Sequence, residues 1–343
     1  MIDELHCFEK KHLDLESCPK KNGRYVNPHI DTIHRRWVDY LLWQVGHFDR
    51  DSGPRTVPKE FSYPNPHETP DLNKPTVSWI NHSSFHLNYL GVNFLTDPIL
   101  ARRCSPVPFL GPKRKHAPSI SVDKLSEIDF VLVSHNHYDH LDKETIKIIA
   151  KNNPMCVFVA PLGVKKLLVK LGCMHVIELG WWDFQEISIS QRLKIRFTAT
   201  PSQHFSGRGL LDGNKTLWCG FALEFFEDLE LVKKFYFVGD TGYNPYDFKT
   251  IGETFGGFDL SLIPIGTYLP YQFMAPVHIC PEKAVAIHQD VKSKLSLGMH
   301  WKTFKLSDEE LHAPPYDLYV EMNKANLDPM TFRALDPGQV INW

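Results

Sequence analysis

Apolar and polar positions alternate along most of the chain with the periods of strands and helices. Residues 76–80, 85–90 and 92–96 alternate with a period of two, which predicts three strands of a meander. The further predicted strands are 131–133, 156–160, 175–179, a hairpin over 187–199, 217–226, 235–238, 260–265, 295–299 and 332–335, and the predicted helices are 143–151, 163–171, 244–253, 281–291 and 307–325. Strands gathered as two sheets with helices outside predict an α/β (α+β) fold, a four-layer αββα sandwich.

The first 75 residues follow a different pattern, so we divide the chain into an N-terminal arm (1–75) and a main domain (76–343). The arm begins with a polar stretch that predicts irregular structure and ends in a Pro-, Ser-, Asp- and Asn-rich wrapping linker. Between them, at about 32–48, apolar residues recur at helical spacing with arginines among them, which predicts an amphipathic helix. This helix either packs on the core or lies at a membrane interface, with Trp37 and Trp43 at headgroup depth.

Composition limits the classes of function. The net charge is 38 − 40 = −2, so no bulk basicity indicates a nucleic-acid partner. The seven cysteines show no C-x-x-C spacing, which predicts reduced thiols in a cytosolic setting. We see no secretory signal and no run of about 18 apolar residues. We therefore expect a cytoplasmic protein that contacts intracellular membranes only from their surface.

A cluster of potential metal ligands follows the buried strand at 131–133. His135, His137, Asp139 and His140 form the pattern H-x-H-x-D-H. Packed together without a cation, these groups would lose their hydration, whereas neutral imidazole and carboxylate are the ligands that zinc-like ions prefer. Two histidines two residues apart can point to one side and hold one ion, while the Asp-His pair can hold a second. The alternative interpretation, for one His-rich turn taken alone, is an exposed polar turn that follows a strand.

This motif resembles the signature of the metallo-β-lactamase superfamily of binuclear hydrolases. Three further candidate ligands, His204, Asp240 and His300, each lie just past a predicted strand, as the resemblance requires. The implied site has three histidines (His135, His137, His204) on one Zn²⁺ ion, a mixed set (Asp139, His140, His300) on a second, and Asp240 bridging the two. Two such ions generate a hydroxide nucleophile at neutral pH. We interpret His82, which follows the first strand of the main domain, as structural rather than as a ligand.

Longer stretches resemble one branch of that superfamily, the N-acyl-phosphatidylethanolamine-hydrolysing phospholipase D family. They are residues 134–142, 200–204, 237–243, 263–268 and 278–288, with Gly111-Pro-Lys-Arg114 also matching. The resemblance implies hydrolysis of the distal phosphodiester to phosphatidic acid and an N-acylethanolamine, by a homodimer docked on a phospholipid membrane.

The same resemblance implies catalytic roles for Asp139, Asp240 and His278. His278 is expected to contact the phosphate or deliver a proton, although the sequence fits equally a structural role next to the helix that starts at Pro281. The chain departs from the family in its N-terminal arm and at Val277, where a polar residue is expected.

Two other classes of function remain open at this point. Another binuclear hydrolase, such as a nuclease, cyclic phosphodiesterase, lactonase or thioesterase, would use the same ligands, although a nuclease should carry a basic stripe. A non-catalytic lipid-binding scaffold of the same fold is disfavoured because its ligand set would normally be incomplete.

Overall fold

The computed structural model describes residues 11–30, 56–65, 69–121, 125, 127–209 and 211–343. The amphipathic helix predicted at about 32–48 lies outside the described residues. In chain order the strands are β1 (Lys11–His12), β2 (Lys20–Lys21), β3 (Arg24–Tyr25), β4 (Thr76–Asn81), β5 (Ser84–Tyr89), β6 (Val92–Thr96), β7 (Phe130–Leu132), β8 (Val157–Pro161), β9 (His175–Leu179), β10 (Asp183–Ser188), β11 (Leu193–Thr200), β12 (Gly220–Glu227), β13 (Glu230–Phe237), β14 (Leu260–Pro264), β15 (Ser296–Met299), β16 (Phe332–Arg333) and β17 (Val340–Asn342). The helices are α1 (Lys143–Asn152), α2 (Lys165–Lys170), α3 (Pro245–Phe255), α4 (Tyr271–Met274), α5 (Pro281–Asp290) and α6 (Ala313–Lys324).

Two mixed sheets organise the described part of the chain. The first has seven strands in the order β17-β4-β5-β6-β7-β8-β9, and the second has eight in the order β1-β10-β11-β12-β13-β14-β15-β16. The meander β4-β5-β6 is antiparallel, whereas β6 to β9 pair in parallel, as do β13 to β16. The parallel strands bring several chain segments to the same sheet edge at their carboxyl ends.

Strand β7 shows why its sequence is a continuous apolar run. Phe130 faces the core between the sheets, where its ring lies 4.9 Å from that of Phe197 in the second sheet. The next residue, Val131, faces the other way and packs with Ile146 of α1 and Leu168 of α2. A strand buried on both faces has no polar side to alternate with. Helices α3, α5 and α6 pack on the second sheet within the main core cluster. The predicted four-layer αββα sandwich is therefore confirmed.

The last long helix is shorter than predicted. We expected it over 307–325, but α6 begins only at Ala313, and residues 307–312 form bends and turns. Pro314 and Pro315 lie in its first turn, where a missing backbone N–H costs no hydrogen bond, whereas inside a longer helix they would break the ladder.

Strands β12 and β13 also differ from their predicted limits. Residues 217–219 are buried but cross to the first sheet, since Leu217 N–H donates to Leu162 and Cys219 N–H donates to Ser134. Strand β13 begins well before residue 235, because a two-residue turn with positive φ at Asp228 and Leu229 closes a hairpin. The early part of β13, residues 230–234, is exposed or half-buried and does not alternate apolar with polar residues, so its sequence lacks the period of a strand.

The described parts of the arm, residues 11–30, 56–65 and 69–75, are more ordered than the sequence suggested. Strand β1 pairs with β10, β2 and β3 form a small hairpin, and the hydroxyl of Tyr63 donates to the carbonyl of Phe332. Two-residue strands carry no periodicity, which explains why the sequence predicted irregular structure over the described residues 11–30. The division into an arm and a main domain remains a prediction. Among the described helices, none is long and apolar enough to cross a bilayer.

Gly252 of α3 allows the close contact between α3 and α5. A Cβ atom at this position would lie 2.0 Å from the carbonyl oxygen of Asp290. We expect Gly252→Ala to destabilise the fold by about 1–3 kcal/mol, although the same change in an exposed helix stabilises by roughly 1 kcal/mol. Urea unfolding measures the effect, with Thr254→Ala in the same helix as the control. A Gly252→Ala midpoint at or above that of the parent would contradict this contact.

Candidate metal centre

The predicted site residues meet at one edge of the sandwich. The H-x-H-x-D-H loop follows β7 of the first sheet, whereas His204, Asp240 and His300 follow β11, β13 and β15 of the second. These strands end at the same edge, so side chains from separate parts of the chain converge there. The structure therefore brings together all seven residues that the sequence analysis assigned to metal binding.

The first set consists of His135, His137 and His204. The Nδ1 atom of His137 lies 2.8 Å from Nε2 of His135 and 3.3 Å from Nε2 of His204. Burial lowers the pKa of His135 and His204 well below the usual value, and it lowers the pKa of His137 to about 4. These three rings are therefore neutral near pH 7 and offer lone pairs to a cation.

The second set consists of Asp139, His140 and His300, and the carboxylate of Asp240 lies against it. Nε2 of His140 lies 3.5 Å from Asp139 and 3.1 Å from Asp240, and Nε2 of His300 lies 3.5 and 3.0 Å from the same two carboxylates. A tetrahedral zinc ion with ligand bonds of about 2.0–2.1 Å holds neighbouring ligand atoms about 3.3 Å apart. The spacing of the second set fits such an ion.

Asp240 lies between the two sets. Its Oδ2 atom is also 3.8 Å from Nε2 of His204, and its side chain is buried. Oδ1 of Asp240 is buried without a hydrogen-bond partner among the described residues, whereas the Nε2 atoms of His140 and His300 pair with its Oδ2 atom. Buried polar atoms without partners are costly, and a cation contacting them would remove that cost. The donor set of imidazoles and carboxylates therefore fits a metal centre.

The second set holds protons when no cation is present. Burial alone would lower the pKa of His140, but the carboxylates of Asp240, Asp139 and Asp97 raise it well above the usual value. Burial alone would also lower the pKa of His300, but contacts with the carboxylates, Asp240 above all, raise it to about 9. Burial would raise the pKa of Asp139 and Asp240, yet the neighbouring His140 helps to hold both well below the usual value.

This difference between the two sets predicts proton release on metal binding. The raised pKa values of His140 and His300 mean that the second set must lose protons to bind a cation near neutral pH, so its apparent affinity should rise with pH through about 9. The first set should bind without proton release near pH 7. We expect zinc titration calorimetry of the metal-free protein at pH 7.5, in buffers of different ionisation enthalpy, to show about two protons released. A binding enthalpy independent of the buffer would contradict this assignment.

Residues that sequence reasoning did not select orient the ligands. Asp97, fully buried at the end of β6, accepts hydrogen bonds from Nδ1 of His140 at 2.6 Å and from the backbone N–H of Ser134 at 2.7 Å. Nδ1 of His300 lies 3.1 Å from Oγ1 of Thr267, and Nδ1 of His204 lies 2.9 Å from the carbonyl oxygen of Val277. Such outer contacts fix the tautomer and orientation of a ligating ring. The position of Asp97 just past a strand was the available sequence signal.

Arg208 holds the backbone of the ligand loop. Its Nη1 atom donates to the carbonyl oxygens of Asn136 and Leu141, both at 2.7 Å, and its guanidinium carbon lies 3.8 Å above the ring of Tyr138. Burial lowers the pKa of Arg208. No local motif distinguishes this arginine from a surface residue, because its partners lie some 70 positions earlier in the chain.

Two other histidines flank the cluster. His278 is partly exposed, and its Nδ1 atom lies 3.8 Å from Oδ2 of Asp240. His82 is buried, and its Nε2 atom lies 3.2 Å from Oδ2 of Asp139. His82 is thus closer to the centre than the sequence indicated. The roles of His278, Asp139 and Asp240 in catalysis remain predictions.

Comparison with known proteins places this geometry in a family. Residues 92–301 match the Beta-lactamase superfamily domain. The chain is 38% identical over 271 residues to N-acyl-phosphatidylethanolamine-hydrolyzing phospholipase D 1 of Caenorhabditis elegans, covering 77% of this chain and 74% of the worm protein. The chain belongs to the N-acyl-phosphatidylethanolamine-hydrolysing phospholipase D family of the β-lactamase superfamily. The resemblance seen in the motifs is confirmed, and the protein is a metal-dependent hydrolase by fold and family.

Other relatives agree with this placement. A mitochondrial N-acyl-phosphatidylethanolamine-hydrolyzing phospholipase D of Saccharomyces cerevisiae is 37% identical over 239 residues, which cover 69% of this chain and 49% of the yeast protein. Among solved structures, an isothiocyanate hydrolase from Delia radicum gut bacteria matches with a TM-score of 0.59 and 18% identity, covering 78% of this chain and 99% of that one. A metallo hydrolase from Ignicoccus hospitalis matches with a TM-score of 0.55 and 19% identity, covering 79% and 98%. At these identities the solved structures establish the fold alone.

Proposed function

We propose that the protein is a two-zinc phospholipase D that hydrolyses N-acyl-phosphatidylethanolamines to phosphatidic acid and N-acylethanolamines. The observation that carries the proposal is the convergence of two ligand sets around Asp240, in a chain related to phospholipases of that name. Three histidines with lowered pKa values and a mixed Asp/His set are both suited to zinc.

When bound, two such cations lower the pKa of water and stabilise negative charge on a phosphate. The protein's own residues do the positioning. Asp240 joins the two ligand sets, and Asp139 completes the second set from a side chain that is still 17% exposed. Water attack at phosphorus forms one P–O bond and breaks the P–O bond to the N-acylethanolamine oxygen, which takes up a proton. His278, partly exposed at the edge of the cluster, is placed to contact the phosphate or to supply that proton.

The surface beside the centre supports a phospholipid substrate. Residues 98–121 contain five Lys or Arg residues and no Asp or Glu. The loop they form exposes Phe109 and Leu110, which are 79% and 67% accessible. The base of the loop packs beside the centre. Its Cys104 is in a buried apolar cluster with Phe304, and Tyr138 of the ligand loop packs against that cluster. Apolar side chains flanked by cations suit an anionic membrane surface. Peripheral membrane contact and a homodimer are both part of the proposal, and the compartment remains a prediction.

Hydrolysis of N-acyl-phosphatidylethanolamine vesicles by the zinc-loaded protein tests the proposal. We expect equimolar phosphatidic acid and N-acylethanolamine, with label from H₂¹⁸O in the phosphatidic acid, and loss of activity with a chelator. Phosphatidylcholine vesicles, bis-nitrophenyl phosphate and a lactone, assayed in parallel, distinguish the other binuclear hydrolases. Faster turnover of the lactone or of the soluble diester would overturn the assignment. A protein that binds the vesicles but hydrolyses none of the four substrates would be a scaffold.

Phe109→Ser with Leu110→Ser tests the membrane contact. We expect weaker sedimentation with anionic vesicles and unchanged turnover of bis-nitrophenyl phosphate.

Sedimentation velocity of the unmodified protein tests the homodimer, which a monomer at all concentrations would rule out.

A further inference from the structure

The turn between β4 and β5 contacts ligands from both sheets. At its centre is His82, whose φ of 46° lies in the left-handed region. Its backbone N–H donates to Oγ1 of Thr303 at 2.7 Å. Its carbonyl oxygen accepts from Nε1 of Trp79 at 2.9 Å and from the backbone N–H of His300 at 3.1 Å. Three hydrogen bonds therefore fix an uncommon backbone conformation directly beside a predicted ligand.

The imidazole of His82 is held as firmly as its backbone. The side chain is 1% exposed. Its ring centroid lies 4.1 Å from that of His300, 5.3 Å from that of His140 and 5.4 Å from that of Phe304, which meets it edge-on. The ring therefore has little freedom to rotate, and its Nε2 atom remains 3.2 Å from Oδ2 of Asp139.

Asp139 is the ligand of the second set that most needs support. Its side chain is 17% exposed, whereas those of His140, His300 and Asp240 are at most 2% exposed. Among the described residues, His82 is the side chain outside the seven predicted ligands that forms a hydrogen bond with the Asp139 carboxylate. An ionised carboxylate can only accept, so the proton of the shared hydrogen bond belongs to Nε2 of His82.

We infer that His82 is a positioning residue, which donates Nε2–H to Asp139 and holds that carboxylate toward the second cation. The inference rests on the proposed two-ion centre. Second-sphere contacts of this kind typically change metal affinity about 10–100-fold. The three histidines of the first set have no hydrogen bond to His82, so the first cation should be unaffected.

Zinc affinity measured by chelator competition tests the inference without relying on turnover. His82→Phe keeps a ring of similar shape but removes the donor, while His82→Gln places an amide N–H near the position of Nε2. We expect His82→Phe to weaken one of the two zinc ions about 10–100-fold, with the other unchanged. His82→Gln should recover most of that loss. His86→Phe, on the neighbouring strand, is the control, because His86 contacts Asn93 rather than the centre.

Each outcome decides between specific alternatives. Two ions of parental affinity in His82→Phe would overturn the role of His82 while leaving the two-ion centre intact. Equal loss of both ions in His82→Phe and His82→Gln, with a lower thermal midpoint, would show that the ring only packs. An unmodified protein that binds fewer than two ions would overturn this inference and the proposed centre together. Two bound ions without phospholipase turnover would leave the inference standing and reject only the substrate.

Discussion

Replacing His135 and His137 together by alanine will remove one of the two zinc ions and nearly all hydrolysis. The two rings are two of the three histidines of the first ligand set, so His204 and the shared Asp240 alone cannot hold a cation firmly there. Metal ions supply several kcal/mol of transition-state stabilisation, and each 1.4 kcal/mol is about a factor of ten in rate. We therefore expect zinc content to fall from about two to about one per chain and turnover to fall at least about 1,000-fold.

Elemental analysis of the purified variant and a vesicle assay measure both effects. His175→Ala is the matched control, since His175 lies on the edge strand β9 of the first sheet, away from the ligand cluster. Circular dichroism should show that the double variant keeps its secondary structure. Retention of two zinc ions, or of more than a tenth of the activity, would contradict the assignment of the first set.

Replacing Asp97 by alanine will have the second largest effect, and it will act on stability and metal binding together. The buried carboxylate accepts from Oγ of Ser134 at 2.5 Å, from the Ser134 backbone N–H at 2.7 Å and from Nδ1 of His140 at 2.6 Å. Its loss leaves three donors unsatisfied in the core, at a cost of about 3–5 kcal/mol. We expect the thermal midpoint to drop by roughly 5–15 °C.

The same substitution should weaken the second zinc ion about 10–100-fold, because Asp97 orients the ring of His140. Asp97→Asn keeps one acceptor oxygen and should fall between the parent and Asp97→Ala in both measurements. Differential scanning calorimetry and chelator competition provide the two readouts. A midpoint within 1 °C of the parent, measured for Asp97→Ala, would show that the network contributes little.

Local patterns predicted the sheets and the seven clustered side chains for different reasons. Continuous apolar runs identified β7 and β8, because strands buried on both faces lose their alternation. The ligands were visible because four of them lie within six residues and the others follow strands that end at one edge. Their convergence is therefore a property of sheet direction, which short-range sequence can indicate.

The supporting residues could not be predicted in the same way. Arg208 and Thr267 act on atoms far away in sequence, and nothing in their neighbours specifies those partners. His82 looked like an ordinary residue after a strand, since only the folded chain shows that its carbonyl meets His300. The outer, more exposed half of β13 and the short strands of the arm were missed because their pairing is specified by partners rather than by periodicity.

The pairing of β17 with β4 has a consequence for biogenesis. Strand β4 is made before every ligand residue, yet its outer neighbour is Val340–Asn342, which is synthesised after all of them. Until β17 is made, β4 presents an unpaired edge, and its own residues Val77 and Trp79 are ones that the folded protein buries. The nascent chain therefore stays open to intermolecular strand addition late into translation, and chaperones that shield free edges should matter more for this protein's yield than for its final stability.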